Sequence, residues 1–478
     1  LTYNSKDISK GLFWSAVDKF GFVALQLVLE VILARLLLPK DYGVMGIVLV
    51  FTAIAVIFSE GGFSNALIHK QDRNEVDFST VFYFNILVSI FLYIIVFFSA
   101  PFVEIFFDIK DLTLILRVVS ISMILHASTT VHKTKLSIEM DFKMQAKISI
   151  LAIGISGCLG IILAYQGLGV WSLVFQHLTM VFLSTIFLWL GYRWFPSGGF
   201  SIRALKKLFH FGSKILMSSI IQTLYFNIFP FIIGRILGVR SLGLYAKSSQ
   251  FTVMPASTMT NVVQRVLFPF FSTYQNDDEK IFELNQKYTL ICCLFFFPIF
   301  FTLAGMAEPL ILLLLSERWA AMTDIFIVLC FSYILFPIIV NNMMLFQVKN
   351  KTSLFLKLEI ITKIIGVIIL LVTVKHGLMA LVYGIMVQQI LQFLITSFFI
   401  HKLIHKNMWK QIKIIAPLMI FSIMLFGAVH WILDSYHGNE IVKLSSAIAS
   451  FILGYGMFYV LFYKKDIMET LLMIRKNN

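Results

Sequence analysis

The sequence predicts an all-α polytopic membrane protein of about fourteen transmembrane helices, and three observations carry that prediction. Hydrophobic residues make up 59% of the 478 and charged residues only 13%, with a mean hydropathy of +0.88; soluble domains carry roughly 25% charged residues. Runs such as 78–100, 355–374 and 412–432 are mostly apolar and reach the ~20 residues needed to cross a hydrocarbon core of roughly 30 Å. Lysine and arginine collect between the runs, heavily in alternate connectors. Because lipid offers no partner to an exposed backbone amide, runs of this kind span as helices.

Charge clusters, glycines and prolines place the helices near 12–35, 42–67, 78–100, 112–131, 146–164, 170–190, 213–235, 248–269, 285–304, 322–346, 355–374, 378–400, 413–432 and 441–463. Misreading the last pair would leave twelve. The opening LTYNSKDISK is polar, and the apolar run after it has no small-residue cleavage site, so the first helix is expected to remain in the protein. Cys158, Cys292, Cys293 and Cys330 lie inside apolar runs with no metal-ligand spacing and read as packing residues. The net charge of +14 would suggest nucleic acid in a soluble chain; between membrane spans it sets topology instead.

The connectors fix an orientation. With fourteen spans, the side holding both termini carries 25 basic residues, among them Lys70, Arg73, Lys133, Lys135, Arg203, Lys206 and Lys207, against nine on the other side, including Arg35, Lys40, Arg235, Arg240 and Lys247. That bias places both termini in the cytoplasm.

A phrase at the end of the first span returns at the end of the seventh. ARLLLPKDYG (34–43) and GRILGVRSLG (234–243) align at an offset of 200, pairing Arg35 with Arg235, Leu37 with Leu237, Lys40 with Arg240 and Gly43 with Gly243. A six-helix offset preserves orientation, so the sequence predicts two parallel pseudo-repeats related by an axis along the membrane normal, as in alternating-access transporters. Chance matching in a Leu/Gly-rich chain is the competing reading. Between the halves, SIRALKKLFHF (201–211) has apolar residues at helical spacing with cations between them, and is expected to lie on the inner leaflet as an amphipathic helix.

Ionisable groups within spans are costly and usually face a bundle interior or a wet cavity. The first span holds Asp18, Lys19, Gln26 and Glu30; the spacing sets Lys19, Gln26 and Glu30 on one face, though Asp18 and Lys19 could instead sit at the interface. The seventh holds Lys214, Ser218, Gln222 and Tyr225 as a stripe, which serves either a polar path or helix-to-helix bonding. Glu60 precedes Gly61 and Gly62, which permit a bend. In the eighth span, Asn261, Gln264 and Arg265 lie between Pro255 and Pro269, and Pro230 and Pro255 are expected to interrupt their helices. Glu359 and Lys363 form an i, i+4 pair that reads equally as a self-neutralised bridge or a coupling site. His401 and His405 fall in a lysine-rich connector, not a metal site. No GxxxxGK[ST] loop, cofactor motif or catalytic signature is present; the chain reads as a transporter and not an enzyme, with no metal or cofactor.

ILARLLLPKDYGVMGIVLVF followed by FSEGGFSNALIHK resembles the amino-terminal signature of the polysaccharide transporter family, the Wzx-type flippases of the multidrug/oligosaccharidyl-lipid/polysaccharide exporter superfamily. LGVRSLGLYAKSSQFTVMP followed by VVQRVLFPFFSTYQND resembles the signature that opens that family's second lobe. The resemblance extends over essentially the whole chain, most strongly over residues 10–275. It implies two six-helix lobes around a V-shaped cavity plus two C-terminal helices: 1–191 as the first lobe, 192–212 as a basic cytoplasmic linker, 213–400 as the second lobe, and 401–478 as the extra helices and tail.

It further implies a monomeric carrier in a bacterial cytoplasmic membrane, working beside a polysaccharide polymerase and other biosynthesis proteins. Its cargo would be undecaprenyl-pyrophosphate-linked oligosaccharide, moved from inner to outer leaflet. On that reading Lys19, Lys214 and Arg265 would neutralise the diphosphate or an acidic sugar, with Gln26, Ser218, Gln222 and Asn261 beside them in the cavity. Asp18, Glu30, Glu60, Glu359 and Lys363 would serve ion coupling. A multidrug or cation antiporter of the same superfamily is the alternative, expected to have a more acidic and aromatic cavity. A membrane polysaccharide-modifying enzyme would need a large outer loop or an intramembrane His/Asp cluster, and the sequence has neither.

Overall fold

The computed structural model describes residues 5–60, 62–434 and 439–463, apart from the side chains of residues 5–13, 15–20, 59, 60, 211, 214, 261, 262, 265, 266 and 434. Every predicted stretch is helical, and no strand occurs among the described residues. The order is α1 (Ser5–Leu36), α2 (Pro39–Glu60), α3 (Phe63–His69), α4 (Glu75–Phe107), α5 (Leu112–Ile138), α6 (Phe142–Tyr165), α7 (Val170–Gly191), α8 (Ile202–Ile236), α9 (Gly238–Ser272) and α10 (Asp278–Gly305). There follow α11 (Ala307–Leu314), α12 (Thr323–Tyr333), α13 (Phe336–Val348), α14 (Thr352–Thr373), α15 (Leu378–Leu403), α16 (Trp409–Asp434) and α17 (Glu440–Phe462). Among the described residues, eleven helical segments are long and apolar enough to cross a membrane; this is a multi-pass membrane protein.

Local chemistry starts and stops these helices. Asn74 and Asp77 exchange side-chain-to-backbone hydrogen bonds ahead of α4, a capping box. Ser201, Asp277 and Asn439 cap α8, α10 and α17. The second predicted stretch is divided: α2 ends at Glu60, Gly61 lies outside the described residues, and Gly62, at φ +70°, stands at the N-cap of α3. A Cβ there would also strike the Gly212 carbonyl, so both backbone conformation and close approach require glycine.

Three expectations need correction. Pro230 and Pro255 interrupt nothing: α8 and α9 run through them as 35-residue helices, α9 through Pro269 as well. One proline removes one backbone bond, and neighbouring packing and polar side chains hold a membrane helix through that loss. The basic segment after 201 is not a separate in-plane helix but the first turns of α8. At ~1.5 Å per residue α8 is roughly 52 Å long, well beyond the ~30 Å hydrocarbon core, so its extra turns hold Arg203, Lys206 and Lys207. Finally, Cys292, Cys293 and Cys330 are buried as expected, but Cys158 is exposed.

The chain packs as two compact units, residues 1–246 and 247–478, divided within α9. In the first, α1 lies on α6, α5 lies between α4 and α7, and α8 packs on α2, α3 and α4. The segment before α8 is strapped to the start of α4: Gly198 N donates to Ser79 Oγ at 2.9 Å and Ser201 N to Thr80 Oγ1 at 3.0 Å. Trp194 Nε1 donates to Glu75 Oε2 at 2.7 Å, and Lys135 bridges Glu75 at 2.7 Å with its ammonium over the Phe78 and Trp194 rings. Tyr192 donates to Glu139; burial and that bond push its phenol well above its ordinary pKa. In the second unit, α10 packs on α12 and α16, α15 on α12, α13 and α14, and α11 on α17.

The repeated phrase proves to be a structural pair. The first turns of α2 and α9, both within the first unit, cross backbone to backbone. A Cβ on Gly43 would sit 1.8 Å from the Val239 carbonyl oxygen, and one on Gly243 would sit 1.7 Å from the Pro39 carbonyl oxygen. Residues 39 and 239, like 43 and 243, differ by the same 200, so the contact is reciprocal in the repeat's own register. Small residues allow membrane helices this approach.

Candidate functional site

The predicted site residues whose side chains are described lie on α1, α8 and α14. On α1, Gln26 and Glu30 are half-buried, and the Glu30 carboxylate faces the Tyr42 hydroxyl at the start of α2. Asp41 beside it is buried, and its Oδ2 accepts from Leu38 N at 2.9 Å, closing the turn between α1 and α2. On α8, Ser218 and Gln222 are exposed and Tyr225 half-buried, beside exposed apolar residues such as Met217, Ile221 and Leu224, so the predicted stripe belongs to a span that is little buried by its packing against α2, α3 and α4. On α14, Lys363 Nζ and Glu359 Oε1 form a half-buried bridge of 2.8 Å, which cancels charge that lipid or a dry interior would otherwise penalise.

Among the predicted site residues with described side chains, the structure joins Glu359 with Lys363. The side chains of Asp18, Lys19, Glu60, Lys214, Asn261 and Arg265 lie outside the described residues. Two further charged residues are held against aromatic rings. Arg117 Nε donates to the Phe97 carbonyl at 3.1 Å with its guanidinium 4.0 Å from that ring's centre, and Arg235 lies 4.8 Å over Phe106.

Two features were missed. Lys247, assigned to a connector, is 1% exposed inside α9, its Nζ 3.3 Å from Gln250 Oε1. Its i, i+3 spacing to Gln250 was visible, but the span boundary drawn at 248 concealed it. The second is a buried amide layer in the second unit. Asn341 Nδ2 donates to Asn285 Oδ1 at 2.7 Å, Asn342 Nδ2 to Ser397 Oγ at 2.9 Å, and Gln411 Nε2 to Thr289 Oγ1 at 3.1 Å. His401 belongs to this layer, not to a connector: it is 1% exposed and bonded to the Ser397 carbonyl at 2.7 Å. The layer ties α10, α13, α15 and α16 together by interhelical hydrogen bonds.

Long apolar helices that carry polar groups within their spans, among them the Glu359–Lys363 bridge, make this a multi-pass membrane protein with polar chemistry at membrane depth. Residues 32–324 match the model of a family described as "Polysaccharide biosynthesis protein". The chain belongs to that family, the Wzx-type polysaccharide transporters whose two signatures it carries.

Among curated relatives it is similar to the succinoglycan biosynthesis transport protein ExoT of Rhizobium meliloti, 25% identical over 67% of this chain and 65% of that one. It is similar to the teichuronic acid biosynthesis protein TuaB of Bacillus subtilis, 25% identical over 73% of each chain. It also matches the lipopolysaccharide biosynthesis protein WzxC of Escherichia coli, 23% identical over 69% of this chain and 67% of that one. Among solved structures, the lipid II flippase MurJ in an inward closed conformation aligns with a TM-score of 0.74 at 16% identity, covering 95% of this chain and 99% of that one. An inward-facing multidrug resistance MATE transporter aligns with a TM-score of 0.61 at 18% identity, over 80% and 95%. Both share the fold.

Proposed function

We propose that this protein is a flippase that carries lipid-linked oligosaccharide repeat units across the cytoplasmic membrane for polysaccharide biosynthesis, by alternating access, with undecaprenyl diphosphate as the carrier and both termini in the cytoplasm. The observation that carries the reading is the Ser218–Gln222–Tyr225 stripe. An uncovered polar face on a spanning helix is stable where it lines a hydrated path, and unfavourable against lipid. Membership of a polysaccharide biosynthesis family supplies the cargo class: a diphosphate and sugars need such a path, whereas a prenyl tail can remain in lipid.

In this reading Lys19, Lys214 and Arg265 neutralise the diphosphate, and Gln26, Ser218, Gln222 and Asn261 contact the polar cargo. Glu30, facing Tyr42, and Glu359, bridged to Lys363, carry the coupling proton or sodium ion, with Asp18 and Glu60 as further candidates. As repeats of the sequence, the two lobes of this reading are residues 1–191 and 213–400, joined by 192–212 and followed by two accessory helices in 401–478; the packing units divide later, within α9.

The double variant Ser218→Leu/Gln222→Leu should insert normally, since leucine suits a spanning helix, yet lower polymer export by about five- to a hundredfold, as the loss of two hydrogen bonds at ~0.5–1.5 kcal/mol each implies. Polymer at the cell surface, normalised to the amount of protein in the membrane, is the measurement. Unchanged export would remove the stripe from the path. A drug antiporter would instead show drug efflux with no dependence of polymer export on the gene.

A further inference from the structure

The second unit contains an open pocket, called the chamber below, of about 490 Å³ between α9, α13 and α14, a size within the roughly 300–1,000 Å³ range of small-molecule sites. Its wall is of one chemical kind. Gln264 and Gln347 place two carboxamides on it, Phe268 and Phe355 two phenyl rings, and Met343 and Met344 two thioethers; none of the described lining residues is charged. Gln264 is fixed to the wall, its Nε2 donating to the Val340 carbonyl at 3.3 Å, whereas Gln347 is exposed.

We propose that this chamber is a sugar-binding subsite for the uncharged part of the cargo. The inference rests on the flippase reading above and adds the place where the saccharide is held. A carboxamide offers a donor and an acceptor together, which matches neighbouring hydroxyls. Phenyl rings and polarizable methionines accept the apolar C–H face of a pyranose, and unbranched methionine reshapes to fit different guests. A prenyl or acyl chain would cover the exposed Gln347 carboxamide and give it no partner, and the described wall offers an anion no cation. The chamber adjoins the polar stripes of two helices: Phe355, Glu359 and Lys363 succeed each other at i, i+4 on α14, and Gln264 belongs to the polar segment of α9.

The test uses full-length protein in lipid nanodiscs and two probes, a polyprenyl diphosphate bearing a neutral tetrasaccharide and the same polyprenyl diphosphate without sugar. Wild type is expected to bind the glycosylated probe about tenfold more tightly. Gln264→Leu/Gln347→Leu should bind the two probes equally, with its affinity for the bare carrier unchanged. Gln347→Leu alone alters an exposed residue and serves as the variant least able to disturb folding; it should lose part of the preference. A sugar preference kept by the double variant overturns the proposal. Tight binding of both probes by wild type with no preference also overturns it and leaves the flippase reading standing. Binding of neither overturns both. If the double variant binds phospholipid at the chamber in place of the sugar probe while wild type shows no sugar preference, the chamber is a lipid groove and the proposal fails.

Discussion

Valine in place of Gly43 or Gly243 should reduce polymer export at least about tenfold while the protein still accumulates in the membrane. At each position even a Cβ would lie within 2 Å of a carbonyl oxygen on the opposing helix, so the first turns of α2 and α9 would have to separate by more than an ångström. Packed helix crossings occupy discrete arrangements and do not yield continuously. In the proposed orientation this crossing lies at the outer face, where it would seal the path while the protein is open to the cytoplasm. Holding it apart should therefore block the cycle without blocking insertion. Gly46 is the control: a Cβ there would meet the Leu242 side chain at 3.5 Å, an ordinary contact, so Gly46→Ala should export normally. Wild-type export by both valine variants would show that the crossing has no part in transport.

The second large effect concerns the amide layer. Asn341→Leu would leave Asn285 Oδ1 buried without its donor, and a stranded buried polar group costs ~1–3 kcal/mol. The purified protein should unfold several degrees lower. Asn285→Leu/Asn341→Leu removes both partners and should be less destabilised than the sum of the two single variants, because neither amide is then stranded. Thermal unfolding of the three variants in one detergent measures this. Additive losses would mean the two amides do not act as a pair.

These two sites differ in how far the sequence disclosed them. The glycine pair was legible as a repeat, because its signal is a spacing along the chain; that the copies touch each other was not, since an offset carries no information on distance. The helices, the division of the second stretch ahead of Gly62 and the Glu359–Lys363 bridge were legible for the same reason: each depends on neighbours within a few residues. The amide layer was not, because Asn285, Asn341, Ser397 and Gln411 come from four helices and each looks unremarkable alone. Lys247 was lost to a boundary drawn one residue late, and prolines were over-read because one missing backbone bond does not end a well-packed helix. The cargo class came from signatures over two hairpins and not from any single residue. That accords with a path assembled from helix faces and not from a catalytic motif.

The most direct test of the central claim is transbilayer movement by the purified protein alone. Proteoliposomes would contain a polyprenyl-diphosphate oligosaccharide with a labelled terminal sugar in the inner leaflet, and the rate at which that sugar becomes accessible to an external oxidising or lectin probe would be followed. The account predicts movement well above protein-free liposomes, reduced in Ser218→Leu/Gln222→Leu and in Gly43→Val. Movement equal to that of empty liposomes, across imposed proton and sodium gradients of either sign, would contradict it.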